Sequence, residues 1–166
     1  MTRAPAPDGT TTAGTAIATV LGVDDLGTLR DLLAVLDAAF GEPTRDEHPP
    51  PSDAYLRDRL ADRSFVAIAG RLDGTIVGGL TAYVLRKPER EASEVYLYDL
   101  AVLATHRRRG VARTLIESLR REARVRGASG LYVQADRGDD AAIALYASYG
   151  APADVLHFDI PPAAAP

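Results

Sequence analysis

The run Arg107-Arg108-Arg109-Gly110 is the part of the sequence best equipped for chemistry. It separates an apolar stretch, Leu100 to Leu103, from an amphipathic one. Amides at a helix N-terminus have no intrahelical acceptor and carry the positive end of the helix dipole. A glycine there admits a ligand close to the backbone. With three guanidinium groups at the rim, such a turn suits a pyrophosphate. An isolated arginine run is also a common solvated turn, so the context has to decide. The sequence has neither Gly-x-x-x-x-Gly-Lys-Ser/Thr nor Gly-x-Gly-x-x-Gly after a strand, which removes the Walker and dinucleotide readings.

Carboxylates form the second set. Strand alternation would put Asp99 on the face of Val95, Leu97 and Ala101, where a charge needs a partner or a purpose. Tyr96 and Tyr98 would share the opposite face, lining a cleft or packing the core. Asp136, Asp139, Asp140 and Asp159 fall at predicted strand ends and loops, and Glu42, Asp46 and Glu47 in a proline-rich loop that could form a lid. These positions would suit a polycation, although acidic loops are commonly just solvated. The whole chain carries a formal charge of -4 over 166 residues. That argues against nucleic acid and anionic membranes. There is no cysteine, hence no disulfide or thiolate nucleophile, and His48, His106 and His157 lack metal-ligand spacing, so no metal is expected. No apolar run is long enough for a bilayer and no signal-peptide core follows Arg3, so a cytoplasmic location is expected.

The elements that must position these residues follow from periodicity and turn chemistry. Residues 1–14 read as a disordered leader, 15–161 as one domain and 162–166 as a tail. Ile17 to Leu21 predicts a strand, and Asp24 or Asp25 caps a helix carrying Leu26, Leu29, Leu33, Leu36 and Phe40. Gly41 to Pro51 must be a loop, after which Ser52 caps a second helix with Tyr55, Leu56 and Leu60. Ser64 to Gly70 and Thr75 to Leu85 read as a hairpin turning on Asp73-Gly74, with a bulge or close backbone approach at Gly78-Gly79. Glu94 to Val102 is a further strand. A helix over 109–127, a strand over 131–135, a helix over 139–149 and a closing strand over 155–160 complete the order. An antiparallel meander passing into a strand-helix-strand unit makes the fold α+β, a mixed central sheet with flanking helices.

In that context Arg107-Arg108-Arg109-Gly110-Val111-Ala112 resembles the Arg/Gln-x-x-Gly-x-Gly/Ala signature of the GNAT acyltransferase superfamily. The segment Asp139-Asp140-Ala141-Ala142-Ile143-Ala144-Leu145-Tyr146-Ala147-Ser148-Tyr149-Gly150 resembles its second helix, with Asp139 in place of the usual Asn and Ala151 in place of the usual aromatic. The resemblance implies an acetyl-CoA-dependent N-acetyltransferase. The pyrophosphate would lie on Arg107, Arg108, Arg109, Gly110, Val111, Ala112 and Arg113, with Asp139 as a further contact. The pantetheine arm would pair with Leu100, Ala101 and Val102, where a bulge would free an amide for the oxyanion. A narrower resemblance, over roughly 52–160, is to the type I aminoglycoside 3-N-acetyltransferases. It rests on Ala82-Tyr83-Val84-Leu85, Tyr96-Leu97-Tyr98-Asp99-Leu100-Ala101-Val102, Tyr132-Val133-Gln134-Ala135-Asp136, Gly138-Asp139-Asp140 and His157-Phe158-Asp159-Ile160. It implies acetylation of the 3-amino group of deoxystreptamine drugs such as gentamicin.

Within that resemblance, Asp99 binds the substrate ammonium and takes its proton directly or through water, and Tyr146 serves the departing thiolate. Asp136, Asp139, Asp140, Asp159 and Glu47 would contact the polycation. His106 would flank the phosphates, and His157 would be structural. Homodimers built on C-terminal strands are common in the resembled family, and Val155 to Ile160 is the segment that would serve. A different amine acceptor (a peptide N-terminus, a lysine or a polyamine) fits the same coenzyme motif. So does a non-catalytic coenzyme sensor, although retention of Asp99 and Tyr146 speaks against it.

Overall fold

Asp73 and Gly74 both adopt positive φ, 50° and 82°, the twist that lets a two-residue turn join neighbouring strands. They connect β2 (Phe65–Leu72) to β3 (Thr75–Arg86). β1 (Ile17–Val20) pairs antiparallel with β2, and β4 (Ser93–Val102) antiparallel with β3. β5 (Ala128–Val133) joins β4 in parallel, giving a five-stranded mixed sheet in the order β1-β2-β3-β4-β5. A parallel pair needs a crossover, and α3 (Val111–Val125) supplies it. The remaining helices are α1 (Leu26–Phe40), α2 (Asp53–Ala61) and α4 (Asp140–Ala147). The computed structural model describes residues 14–41 and 49–163. It divides into a unit ending at Gln134, which holds the whole sheet and α1 to α3, and a unit beginning at Ala135, which holds α4.

Two glycines show which helix covers which face. A Cβ on Gly70 would sit 3.0 Å from Val111 Cγ1 and 3.3 Å from Leu115 Cδ1, so that face of β2 packs on α3. By alternation and cross-strand pairing, Ile68, Leu80, Ala82 and Leu97 share it. A Cβ on Gly79 would run into the Leu32 side chain, so the opposite face meets α1. There Leu29, Leu32, Leu36 and Leu56 close on the small residues Ala67, Ala69 and Ala101. The leucines of α1 approach because the sheet presents no bulk beneath them. The Gly78-Gly79 expectation holds in both senses. Gly70 faces Gly78 while Arg71 faces Ile76, so Val77 is an extra residue in β3.

The predicted order survives with shifted boundaries and one loss. Gly110 at φ 83° holds the chain out of the helix until Val111, two residues later than expected. Asp25 stands at the N-cap of α1, but its carboxylate accepts the Gly22 N–H at 2.8 Å instead of a helix amide. Ser52 does cap α2, accepting the Tyr55 N–H at 3.2 Å. Gly41, at φ 69°, ends α1; the expected loop beyond it, with Glu42, Asp46, Glu47 and His48, lies in 42–48, outside the described residues. The closing strand over 155–160 is not formed. Alternating apolar residues supply a face but no ladder partner, and an unpaired segment is not a strand. Val155, Leu156, Phe158 and Ile160 are instead 67%, 80%, 72% and 86% exposed.

A Cβ on Gly78 would fall 2.6 Å from the Ala101 carbonyl oxygen and 2.9 Å from Val102 Cγ2. Gly78→Ala therefore forces β3 and β4 apart, and its urea midpoint should fall by the equivalent of about 1–3 kcal/mol, the usual cost of overpacking.

Candidate active site

The third and fourth strands fall out of step at one place. Thr81 faces Asp99 and Ala82 faces Leu97, so Tyr98 is an extra residue in β4. A bulge bends its strand and reverses the alternation beyond it. Leu97 stays on the α3 side, while Asp99, opposite Thr81, turns to the other face. The expected grouping of Asp99 with Val95 and Leu97 is thereby corrected; only Ala101, opposite Gly79, shares its side. Thr81 is 5% exposed, and its hydroxyl donates to Asp99 Oδ2 at 2.5 Å. The carboxylate is held on a face it shares with Tyr83 and Tyr96, themselves paired across β3 and β4.

The same bulge coincides with the end of another ladder. β4 and β5 pair only as far as Leu97 and Val133. From Tyr98 to Val102, β4 has β3 on one edge and no strand on the other among the described residues. That edge can take an extended amide-bearing ligand as a strand would, by main-chain hydrogen bonds.

Beyond β4 the chain turns tightly. The Leu103 N–H donates to the Val77 C=O at 2.9 Å, and a single 3-10 turn, Ala104–His106, follows. Arg107 Nε–H donates back to the Val102 C=O at 3.0 Å, tying the loop to the strand end. Arg108 adopts φ 59°, a left-handed conformation that costs a non-glycine residue roughly 1 kcal/mol. Arg109 lies 3.9 Å from Asp73 of the hairpin turn, a largely exposed pair of little energetic weight. The first backbone bond of α3 runs from the Thr114 N–H to the Gly110 C=O, so the Val111 and Ala112 amides precede the ladder. No side chain caps this end and no acidic residue stands in its first turn. Unpaired amides, the helix dipole and the Arg107–Arg109 cations fit a pyrophosphate, and β4's open edge ends at Val102, just ahead of them.

The unit beginning at Ala135 carries the other expected residues. Asp139 is the N-cap of α4, its carboxylate accepting the Ala142 N–H at 2.9 Å. Asp136 and Asp140 flank it, both exposed. The Asp159 carboxylate lies 3.1 Å from His157 Nε2. Burial first, and then the charge of Asp139, push the Tyr146 phenol above its ordinary range. Glu47 lies outside the described residues.

Residues 30–151 match the model of the acetyltransferase (GNAT) family. The chain belongs to the GNAT acetyltransferase family. It is an acetyl-CoA-dependent N-acetyltransferase, and the cradle and open strand edge are the features such an enzyme needs. Among solved structures, it is similar to an aminoglycoside acetyltransferase, HMB0005, from an uncultured soil metagenomic sample. Identity is 42% over 90% of this chain and 99% of that one, with a TM-score of 0.85. It is similar also to the aminoglycoside acetyltransferase meta-AAC0020, from an uncultured soil metagenomic sample, in complex with sisomicin. That match is 30% identical over 88% and 95% of the chains, with a TM-score of 0.80. A ribosomal-protein-alanine N-acetyltransferase from Brucella melitensis biovar Abortus 2308 matches at 28% identity over 89% and 99%, with a TM-score of 0.68. No curated protein matches the chain.

Sequence reasoning missed Thr81 as the partner of Asp99. Its signal was the strand register, which a bulge conceals. Arg108→Gly separates the loop's backbone from its charge. The glycine relieves the left-handed strain, so stability should stay within about 1 kcal/mol of the parent. The KM for acetyl-CoA should rise several-fold, as steady-state kinetics at varied coenzyme would report.

Proposed function

We propose that this GNAT enzyme acetylates an aminoglycoside at the 3-amino group of its deoxystreptamine ring, with gentamicin a representative acceptor, and so confers resistance to the drug. The observation that carries the substrate class is the 42% identity, over nearly the whole of both chains, to an aminoglycoside acetyltransferase. The 3-position rests on the strings around Tyr83, Tyr98, Tyr132, Asp139 and Phe158 that resemble the type I 3-N enzymes.

Acetyl-CoA supplies an activated acetyl group. The chain's own residues do the rest. The Leu100 to Val102 edge binds the pantetheine arm, and Arg107 to Arg113 with the α3 amides bind the pyrophosphate. The acceptor arrives as an ammonium, since alkylamines have reference pKa values near 10.4. Asp99, oriented by the Thr81 hydroxyl, binds that ammonium and passes its proton to water, leaving the amine lone pair free to attack. The Tyr146 phenol donates a hydrogen bond to the sulfur as the thioester breaks. Its pKa stands above that of a thiol, about 8.5, so full transfer is uphill by roughly 1.4 kcal/mol per unit. Its role is therefore hydrogen-bond donation, with the proton completed from solvent. Asp136, Asp139, Asp140, Asp159 and Glu47 supply further negative charge to the polycation. The enzyme works in the cytoplasm as a homodimer, with the exposed Val155–Ile160 segment covered by a second copy.

A second reading has one observation in its favour. The 28% likeness to a ribosomal-protein-alanine N-acetyltransferase points to a peptide N-terminus as acceptor.

Thiol release from acetyl-CoA should be rapid with gentamicin and slow with spermidine or with an alanine-terminated or lysine-bearing peptide, and mass spectrometry with NMR should place the acetyl group on the 3-amine. Turnover of the peptide alone would replace the proposal with the second reading. Asp99→Asn should lower kcat by about 10²- to 10⁴-fold, the range for losing a positioned acid-base group.

Tyr146 gives a pH prediction. Its proton is held more tightly in the folded chain than in the unfolded one, so the stability it contributes is complete below about pH 10 and is lost as pH rises through its folded value. Phenolate absorbance of the parent minus Tyr146→Phe should show a single step above the ordinary tyrosine range.

A further inference from the structure

Four strands carry an aromatic ring at the same level of the sheet. Phe65 of β2 faces Tyr83 of β3, Tyr83 faces Tyr96 of β4, and Tyr96 faces Tyr132 of β5. The ring contacts run from Phe65 to Tyr83, through Tyr98 to Tyr96, and on to Tyr132. Phe65 and Tyr83 lie 5.7 Å apart, and Tyr96 stacks on Tyr132 at 5.0 Å with 20° between planes. Tyr98, the residue that the bulge inserts, stands edge-on to both Tyr83 and Tyr96, at 5.6 and 5.8 Å. The Tyr96 hydroxyl donates to Gln134 Oε1 at 2.7 Å, fixing the middle of the row.

Cross-strand aromatic pairs stabilise a sheet wherever they occur, but that role does not explain this arrangement. The row lies on the α1 face, yet Tyr98 is 61% and Tyr132 44% exposed. Tyr98 belongs to no cross-strand pair, because it is the unmatched residue of the bulge. A large aromatic ring is thus displayed to solvent at a position whose backbone has already sacrificed regular pairing. The next residue is Asp99, on the same face, and its charge helps to keep the Tyr83 phenol protonated after burial has done most of that work. Neutral phenols beside a fixed carboxylate make a surface with three complementary affinities. Ring faces attract cations, at about 0.5–2 kcal/mol each. They also take the C–H face of a saturated ring, and the phenol hydroxyls exchange hydrogen bonds with alcohols.

We infer that Tyr83, Tyr96, Tyr98 and Tyr132 form the binding platform for the acceptor, and that they select a rigid, cationic, polyhydroxylated saturated ring over a flexible linear amine. The inference rests on the proposed aminoglycoside reaction and names the surface that recognises the substrate. The saturated ring lies along the row, one ammonium reaches Asp99, and Tyr98 and Tyr132 cover the outward side. A linear polyamine supplies the charges but no ring face, so it loses the stacking.

The chain has no tryptophan, and four of its seven tyrosines stand in this row, so the part of the ultraviolet emission change that Tyr98→Leu and Tyr132→Leu remove reports on it. Gentamicin titrated into the full-length protein should change tyrosine emission saturably, and spermidine should do so only at much higher concentration. Tyr98→Leu and Tyr132→Leu should each weaken gentamicin binding about 2- to 30-fold, equivalent to one cation–ring contact. They should raise its KM in step, with a much smaller effect on kcat and on the KM for acetyl-CoA. Tyr98→Phe, which keeps the ring face, should restore most of the affinity. Gentamicin binding that leaves tyrosine emission unchanged, or Leu variants within twofold of the parent in affinity, would overturn the platform. A saturable tyrosine signal without acetyl transfer would leave the platform standing and remove the proposed reaction. Transfer to gentamicin with unaffected Leu variants would do the opposite.

Discussion

Between Leu97 and Asp99 the fourth strand carries one residue more than the third, and a sheet absorbs an extra residue only by surrendering part of a ladder. The rest of the site depends on that concession. With Tyr98 inserted, β4 bends, its pairing with β5 stops at Leu97, and its last residues keep a neighbour on one edge alone. The insertion also reverses which side chains face which helix. Asp99 would otherwise point at the leucines beneath α3; it meets Thr81 and the tyrosines instead. A single local irregularity thus opens an edge for the coenzyme and aims a carboxylate at the acceptor's side.

The surrounding packing keeps that irregularity in place. Leu115 and Leu119 of α3 are fully buried against one face of the sheet, and Leu29 and Leu32 of α1 against the other. Gly78 and Gly79 let β4 and α1 approach β3 more closely than any side chain would allow. Since α3 begins directly after the loop that leaves β4, its burial also fixes where its N-terminal amides point. The strained φ of Arg108 belongs to the same economy. A backbone conformation costing about 1 kcal/mol is retained because packing on either side determines the loop's path.

Much of this was legible from residues alone. The Asp73-Gly74 turn, the Ser52 cap, the Gly78-Gly79 close approach and the strand-helix crossover each follow from local chemistry, and each appears in the fold. The arginine turn was readable because its chemistry is a sequence-local property: strand end, glycine and helix start lie within a dozen residues. Asp99 was legible as a residue and misread as a direction. Alternation assumes an unbroken pleat, and neither Tyr98 nor its neighbours announce a bulge. Thr81, 18 positions away, was invisible for the same reason, since its pairing depends on register. The tyrosine row needed four strands to be aligned before it existed at all. The segment over 155–160 shows the reverse failure, for a clean alternating pattern became no strand without a partner.

Backbone hydrogen exchange tests most directly whether the broken ladder is the coenzyme's partner edge. Without ligand, the amides of β4 from Tyr98 onward should exchange faster than those at Ser93 to Leu97, which have strands on both sides. Adding acetyl-CoA should protect Leu100 to Val102 together with the turn from Arg108 to Ala112. Coenzyme binding that protects the turn but leaves Leu100 to Val102 unchanged would contradict the account, since the bulge would then open an edge that the coenzyme does not use.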